Sequence, residues 1–298
     1  MFFAVIPFSH SIGVEPLIYH GGEIQESMVQ IGSIVEIPYG KNLEFWIISG
    51  IYEDSPIDTQ SESFERIKTI HRIITEKQLL DIYQIELILK IAKKYMIPIH
   101  RILGIFLPRP VLSRLEKKNY EQLIDIPKKL ETSQKQEAPH HGLHIVSDSI
   151  VTPELVEQYI SWPTIVILPD DFAMIPYEKA FWDNKNILFL KNDMTDIKKA
   201  QAWIDIRNWV FPIIYWTRKI IYYNLACYST ILYIEDSLGP DYWHYPIKIQ
   251  YNDILNIFME NNPYHSVWVI TSVPTLITLN RFRNHSIHNI SKSPWNKI

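Results

Sequence analysis

Two carboxylates, Glu235 and Asp236, stand side by side directly after the run Thr230-Ile-Leu-Tyr-Ile234. Every member of that run is β-branched, apolar or aromatic, the pattern of a strand buried on both faces. In an open α/β sheet, ligand groups gather where strands end at their carboxyl edge. An acid pair there is what a metal- or nucleotide-using enzyme requires. A second pair, Asp170 and Asp171, follows the apolar run Thr164–Leu168 in the same way. Four acids at adjacent strand ends suit a metal-dependent nuclease, on acid placement alone. Two acids without phosphate oxygens are too few for a good magnesium site, so no metal is expected. His140, His141 and His144 read either as a metal cluster or, the preferred reading, as part of a solvated linker. The single cysteine, Cys227, excludes an intramolecular disulfide and any Cys-rich zinc site. It reads as a small buried apolar group in a protein of the reducing cytoplasm.

Nucleic acid is the other chemistry the residue types allow. Net charge is −4, so the whole chain has no bulk attraction for phosphate, and a local patch must supply it. Lys90 to Lys118 holds eight Lys or Arg against one acid, Glu116. This is either a solvated helix face or a phosphate-contacting surface. Glycine is scarce where a phosphate loop would need it. Seven of the nine lie at or before Gly104, and none falls between 143 and 238. Tight phosphate loops use glycine so that the backbone can approach the anion.

The elements that must position these groups follow from patterning. Phe2–Ile6, Ser33–Ile37 and Phe45–Ile51 read as strands, with turns at His20-Gly-Gly22 and Pro38-Tyr-Gly-Lys41. Short strands with close-set turns predict a small β-barrel. Thr75-Glu-Lys-Gln78 reads as a capping box opening a helix that stops before Pro98. Ile126 to His141 is polar and reads as a linker. From 143 onward, Leu143–Val146, Thr164–Leu168, Ile187–Leu190, Phe211–Tyr215, Thr230–Ile234 and Ser266–Ile270 read as strands. Helices between them start at Thr152-Pro153, at Thr195 or Asp196 (running to Trp209), and near Asn252 or Asp253. That alternation predicts βαβ units and a mostly parallel sheet. Trp203, Trp209 and Trp216 are expected in the core. No run of 18 apolar residues exists, so no membrane span is expected.

Two segments resemble a known family. Ile34-Val-Glu-Ile-Pro-Tyr-Gly-Lys41 and Ala92-Lys-Lys-Tyr-Met-Ile-Pro-Ile-His-Arg-Ile-Leu-Gly-Ile-Phe-Leu-Pro108 are similar to the N-terminal DNA-binding domain of primosomal protein N′. That family is the replication-restart helicase PriA. Trp216–Asp236 resembles the family's G-T-R-S…I-I-V-D-E-E segment, Val269–Leu276 its L-G-S-A-T-P-S-L, and Leu168–Pro176 its V-P-E-I-x-L-T-P. The resemblance implies 1–118 as the DNA-binding domain, 119–142 as linker, 143–282 as a RecA-like first helicase lobe and 283–298 as a basic tail. It implies a DNA site at Leu17, Ile18, Tyr19, Tyr39, Gly40, Lys41 and Lys68, beside the cluster residues Lys93, Lys94 and Arg101. Tyr19, Tyr39 and Tyr95 either stack bases or pack the barrel.

Departures from the family motifs shape the expected function. Where the family has the phosphate loop G-V-T-G-S-G-K-T, this chain has Ile145-Val-Ser-Asp-Ser-Ile-Val-Thr152. The lysine position is Val151, and Ser147, Asp148, Ser149 and Thr152 form no nest for phosphates. The family's D-E-E-H becomes Glu235-Asp-Ser-Leu238, its S-A-T becomes Thr271-Ser-Val273, and its F-D-Y becomes Leu17-Ile-Tyr19. Set against the family, the chain is expected to be a truncated member without the second helicase lobe, the zinc-binding cysteines or the winged helix. The expectation is a DNA-binding protein of replication restart at forks or 3′ ends, with an inactive lobe kept as a scaffold. ATP and magnesium, the family's cofactors, are expected to be lost. Partners implied are DNA and, beyond it, replication-restart or single-strand-binding proteins. An active helicase of divergent motif and the nuclease stand as alternatives.

Overall fold

The computed structural model describes residues 1–8, 13–24, 28–57, 60, 62–75, 77–107, 110–111, 113, 141–146, 151–161, 163–223, 225, 228–235, 242–243, 249–261 and 265–283. The chain divides into two compact units, Met1–Ile126 and Pro127–Ile298.

The first unit is built on five antiparallel strands. They are β1 (Phe2–Pro7), β2 (Leu17–His20), β3 (Ile34–Tyr39), β4 (Asn42–Tyr52) and β5 (Arg72–Thr75), in the order β2-β1-β4-β3-β5. The two edges approach each other at one point. The His20 N–H donates to the Lys68 carbonyl, and the Ile70 N–H donates back to the His20 carbonyl, each at 2.9 Å. Inside, Phe3, Val5, Val35, Ile37, Trp46 and Ile48 form a fully buried cluster, because alternate residues of each strand face inward. A short helical turn, α1 (Glu62–Glu65), precedes β5. Two helices follow it, α2 (Ile82–Tyr95) and α3 (Ile99–Phe106).

The helix start differs from the reading of Thr75–Gln78 as a capping box. Thr75 ends β5, and its hydroxyl accepts from the Lys77 N–H at 3.1 Å. The box is Asp81 with Gln84: the Asp81 carboxylate accepts from the Gln84 N–H at 2.8 Å and the Gln84 side chain accepts from the Asp81 N–H at 3.2 Å. Gln78–Leu80 is held out of the helix because the Leu79 N–H donates to the Gly32 carbonyl at 2.9 Å. β5 itself has no counterpart among the strands read from pattern; its four residues carry two polar side chains and no clear alternation.

The second unit is a six-stranded parallel sheet of β6 (Gly142–Ile145), β7 (Thr164–Leu168), β8 (Ile187–Phe189), β9 (Ile213–Thr217), β10 (Thr230–Ile234) and β13 (Ser266–Thr271), ordered β6-β13-β10-β7-β9-β8. A two-stranded ribbon, β11 (Tyr242–Trp243) and β12 (Ile249–Gln250), lies apart from it in the topology. Helices alternate with the strands: α4 (Pro153–Glu157), α5 (Ile175–Phe181), α6 (Asp196–Arg207), α7 (Tyr251–Asn261) and α8 (Leu276–Arg283). β7, β9 and β10 are buried at every position, as continuous apolar runs in a parallel sheet should be. Gly142 pairs with Trp268, and a Cβ there would sit 2.2 Å from the indole ring, so the close approach of β6 to β13 requires glycine. This is the mostly parallel α/β fold expected, consistent with a RecA-like lobe. Trp203 and Trp216 are core residues, but Trp209 is not. It closes α6 in the left-handed region at φ 52, with its N–H on the Ile206 carbonyl, and that geometry turns the indole outward to 38 % exposure.

Candidate nucleic-acid interface

Strand directions gather the residues expected to meet DNA. Leu17 starts β2, Tyr39 ends β3, Asn42 starts β4, and Lys68 leads into β5; antiparallel order puts all of these at one end of the sheet. Tyr39 and Asn42 pair across the turn Gly40-Lys41, with Gly40 at φ 59 in open space. A tight two-residue hairpin favours glycine at such a position. Gly40, Lys41 and Lys68 are exposed, and Leu17 presents an apolar side chain to solvent. The Ile99 N–H donates to the Gly13 carbonyl at 3.2 Å, which ties the start of α3 to the β1–β2 connection at this same end. Arg101 lies in the first turn of α3, and Lys93 and Lys94 form the last turn of α2 just ahead of that tie. All three are exposed.

Tyr19 is not a platform for a base. It is 5 % exposed, its ring packs edge-on against Trp46 at 5.9 Å, and its hydroxyl donates to the Pro38 carbonyl at 3.3 Å. Burial above all, then Tyr39 and Glu44, pushes its pKa up to about 12. The ring braces the turn that carries Gly40 and Lys41. Tyr39 also leans on Trp46, at 5.1 Å, and stays half-buried. Ile18 is half-buried opposite Ala4 and offers no acceptor. Tyr95 is half-buried.

Residues 16–108 match the family model of the PriA 3′ DNA-binding domain (3′BD). That segment is a PriA-like domain. No curated protein matches the chain. The matched range takes in β2 through α3, and with them the turn, Lys68 and the helix corner.

In the other unit, the carboxyl edge of the parallel sheet carries the acids. Glu235 follows β10 and is 4 % exposed. One of its oxygens accepts from Thr275 at 3.0 Å and from Thr278, both belonging to the start of α8. The other oxygen has no hydrogen-bond partner among the described residues. Arg281, on the next turn of α8, has its pKa lowered by burial and held up in part by Glu235. Asp236 lies outside the described residues, as do Ser147, Asp148 and Ser149. Val151 is described and half-buried, and Thr152 is spent on capping: its hydroxyl accepts from the Leu155 N–H at 3.4 Å, opening a helix of only five residues.

The second acid pair is equally engaged. Asp170 accepts from the Ala173 N–H at 2.8 Å. Asp171 accepts from the Asn192 backbone N–H at 3.1 Å and from its amide at 3.0 Å, and the Thr217 hydroxyl donates to the Asn192 amide oxygen. Among the described residues, no three His, Cys, Asp or Glu come close enough to hold a metal. His144 instead sits on β6, buried, its hydrogen-bond partner the Tyr159 hydroxyl, with burial lowering its pKa. The Val267 N–H donates to His141 Nδ1 at 3.3 Å. His140 and Cys227 lie outside the described residues. No described helix is long and apolar enough to cross a membrane.

Sequence reading did not find the threonines that hold Glu235 or the asparagine that holds Asp171. Neither carries a spacing signal, since each reaches its acid only through the fold. A further miss is the Arg72–Glu36 pair, at 2.7 Å, which joins β5 to β3.

Proposed function

We propose that this protein binds forked or 3′-ended DNA through its PriA-like domain, in the service of replication restart. The observation that carries the reading is the match of residues 16–108 to the PriA 3′ DNA-binding domain. The convergence of Gly40, Lys41, Lys68, Lys93, Lys94 and Arg101 at one end of the sheet supports it. Cations of this kind contact phosphates, which position DNA without reading sequence. The unit from 143 to 282 acts as a scaffold related in design to a first helicase lobe, without turnover of ATP. Support comes from the glycine-free stretch Ile145–Thr152 and from Glu235, which is enclosed by threonines where a nucleotide-using lobe needs an open carboxylate. The chain from 119 up to β6 joins the two parts, and the residues after α8 form a basic tail. The cell compartment is the reducing cytoplasm, and partners beyond DNA are replication-restart or single-strand-binding proteins.

The direct test is titration of a fork-shaped duplex with a 3′ end at the branch. Binding independent of sequence and steeply weakened by salt is the expected result. Absence of binding to branched or 3′-ended DNA at low salt would leave only a likeness of fold.

A further inference from the structure

A cavity of about 940 Å³ opens along the seam of the PriA-like domain, between β5 and the chain that leaves β2. Its lining takes Gly21, Gly22 and Ile24 from the chain that leaves β2 and Thr69, Ile73 and Lys77 from around β5, together with Met28, His71 and Glu23. The cavity exists because β2 stops early. After His20 the chain turns away through Gly21 and Gly22, with the Gly22 N–H on the His20 imidazole at 3.0 Å. Among the described residues β5 continues as the edge strand of its sheet. The Ile70 N–H points toward β2 and the His71 N–H toward β3.

We propose that this seam groove holds the single-stranded DNA tail running from the 3′-end site, so that the domain takes a short stretch of single strand and not a terminus alone. The proposal rests on the DNA-binding reading above. Continuity is the first argument: Lys68, at the DNA-facing end, is bonded to His20 and leads directly into Thr69 and the groove wall. Charge is the second. His71 and Lys77 stand in the described lining, and Arg66 and Lys68 precede it along the chain, while Arg72 is held by Glu36. The third is the mixed lining. Ile24, Met28 and Ile73 offer apolar surface to bases, while Thr69 and Lys77 offer donors to phosphate oxygens. A volume of this size accommodates roughly two to three nucleotides. Among the described residues, Glu23 is the carboxylate of the lining, and it opposes phosphate.

The test is fluorescence anisotropy with duplexes whose 3′ overhangs are graded from none to about five nucleotides. Affinity is expected to rise by about threefold per nucleotide, the size of one exposed ion pair, and to level off near three nucleotides. The double variant His71→Ala, Lys77→Ala is expected to flatten that rise while binding the duplex without overhang as the wild type does. Glu23→Gln is expected to tighten binding only to overhangs. DNA binding that is indifferent to overhang length in the wild type would overturn the groove and leave the DNA-binding reading intact. Loss of binding to every duplex would sink the DNA-binding reading first. Tight binding of an extended alternating Val-Thr peptide to the groove, undiminished by an excess of overhang DNA, would assign the open edge of β5 to a protein partner and overturn the proposal.

Discussion

Thr275 and Thr278 both direct their hydroxyls at one oxygen of Glu235, and the other oxygen is buried without a described partner. A buried carboxylate depends on such donors, because an unsatisfied polar group costs the desolvation it cannot recover. Thr278→Val removes one donor at little change in shape. It should lower stability by about 1–3 kcal/mol, read as a shift in the urea midpoint without a change in slope. An unmoved midpoint would mean that the threonine does not hold the acid. His265 supplies a pH-dependent case. It is buried, stacked on Phe258 at 5.6 Å, and burial drives its pKa down to about 4. The unfolded chain takes up this proton near the ordinary pKa of 6.5, so the stability is complete above that value. It is lost as pH falls from 6.5 toward 4, by about 3 kcal/mol in total. Stability curves of the wild type and His265→Phe should therefore diverge in that window, and parallel curves would contradict the assignment. At this scale the sequence was only partly legible. Glu235 stood out because it ends an apolar run, but the threonines that enclose it come from a helix forty residues on.

Elements were more legible, and unevenly so. Thr164–Leu168 and Thr230–Ile234 were bounded to the residue, because unbroken apolar runs between polar flanks have only one reading in a parallel sheet. β5 escaped notice because it is a four-residue edge strand with polar residues, Arg72 and Thr75, at both ends and no alternation. The start of α2 was misplaced for a related reason: Thr75 and Gln78 have the spacing of a capping box, but the chain there is tied to Gly32, and Asp81 does the capping. The other end of α2 makes a prediction of its own. Met96 closes the helix at φ 52, with its N–H on the Lys93 carbonyl and the Ile97 N–H on the Ala92 carbonyl, the double bond pattern that glycine serves best. Its side chain is 74 % exposed, so nothing in the packing repays the left-handed backbone. Met96→Gly should raise stability by up to about 1 kcal/mol, measured by thermal unfolding. A fall would show that the methionine packs well enough to outweigh its backbone strain.

The two units divide the chemistry of the whole molecule. One brings exposed cations and a glycine turn to the end of a small antiparallel sheet. The other retains a parallel sheet whose described edge acids, Asp170, Asp171 and Glu235, each accept hydrogen bonds from neighbouring groups. If that division is right, affinity for DNA belongs to the first unit and is blind to nucleotide. The measurement that tests this most directly is titration of a forked, 3′-ended duplex across a range of salt, with and without ATP and magnesium, for the wild type and the triple variant Lys93→Ala, Lys94→Ala, Arg101→Ala. The account predicts identical binding with and without ATP and no release of phosphate. It predicts a triple variant weakened about equally on all sequences, its salt slope flatter by roughly one unit for each phosphate that the missing cations had neutralised. Unaltered affinity in the triple variant, or binding that changes with ATP turnover, would contradict it.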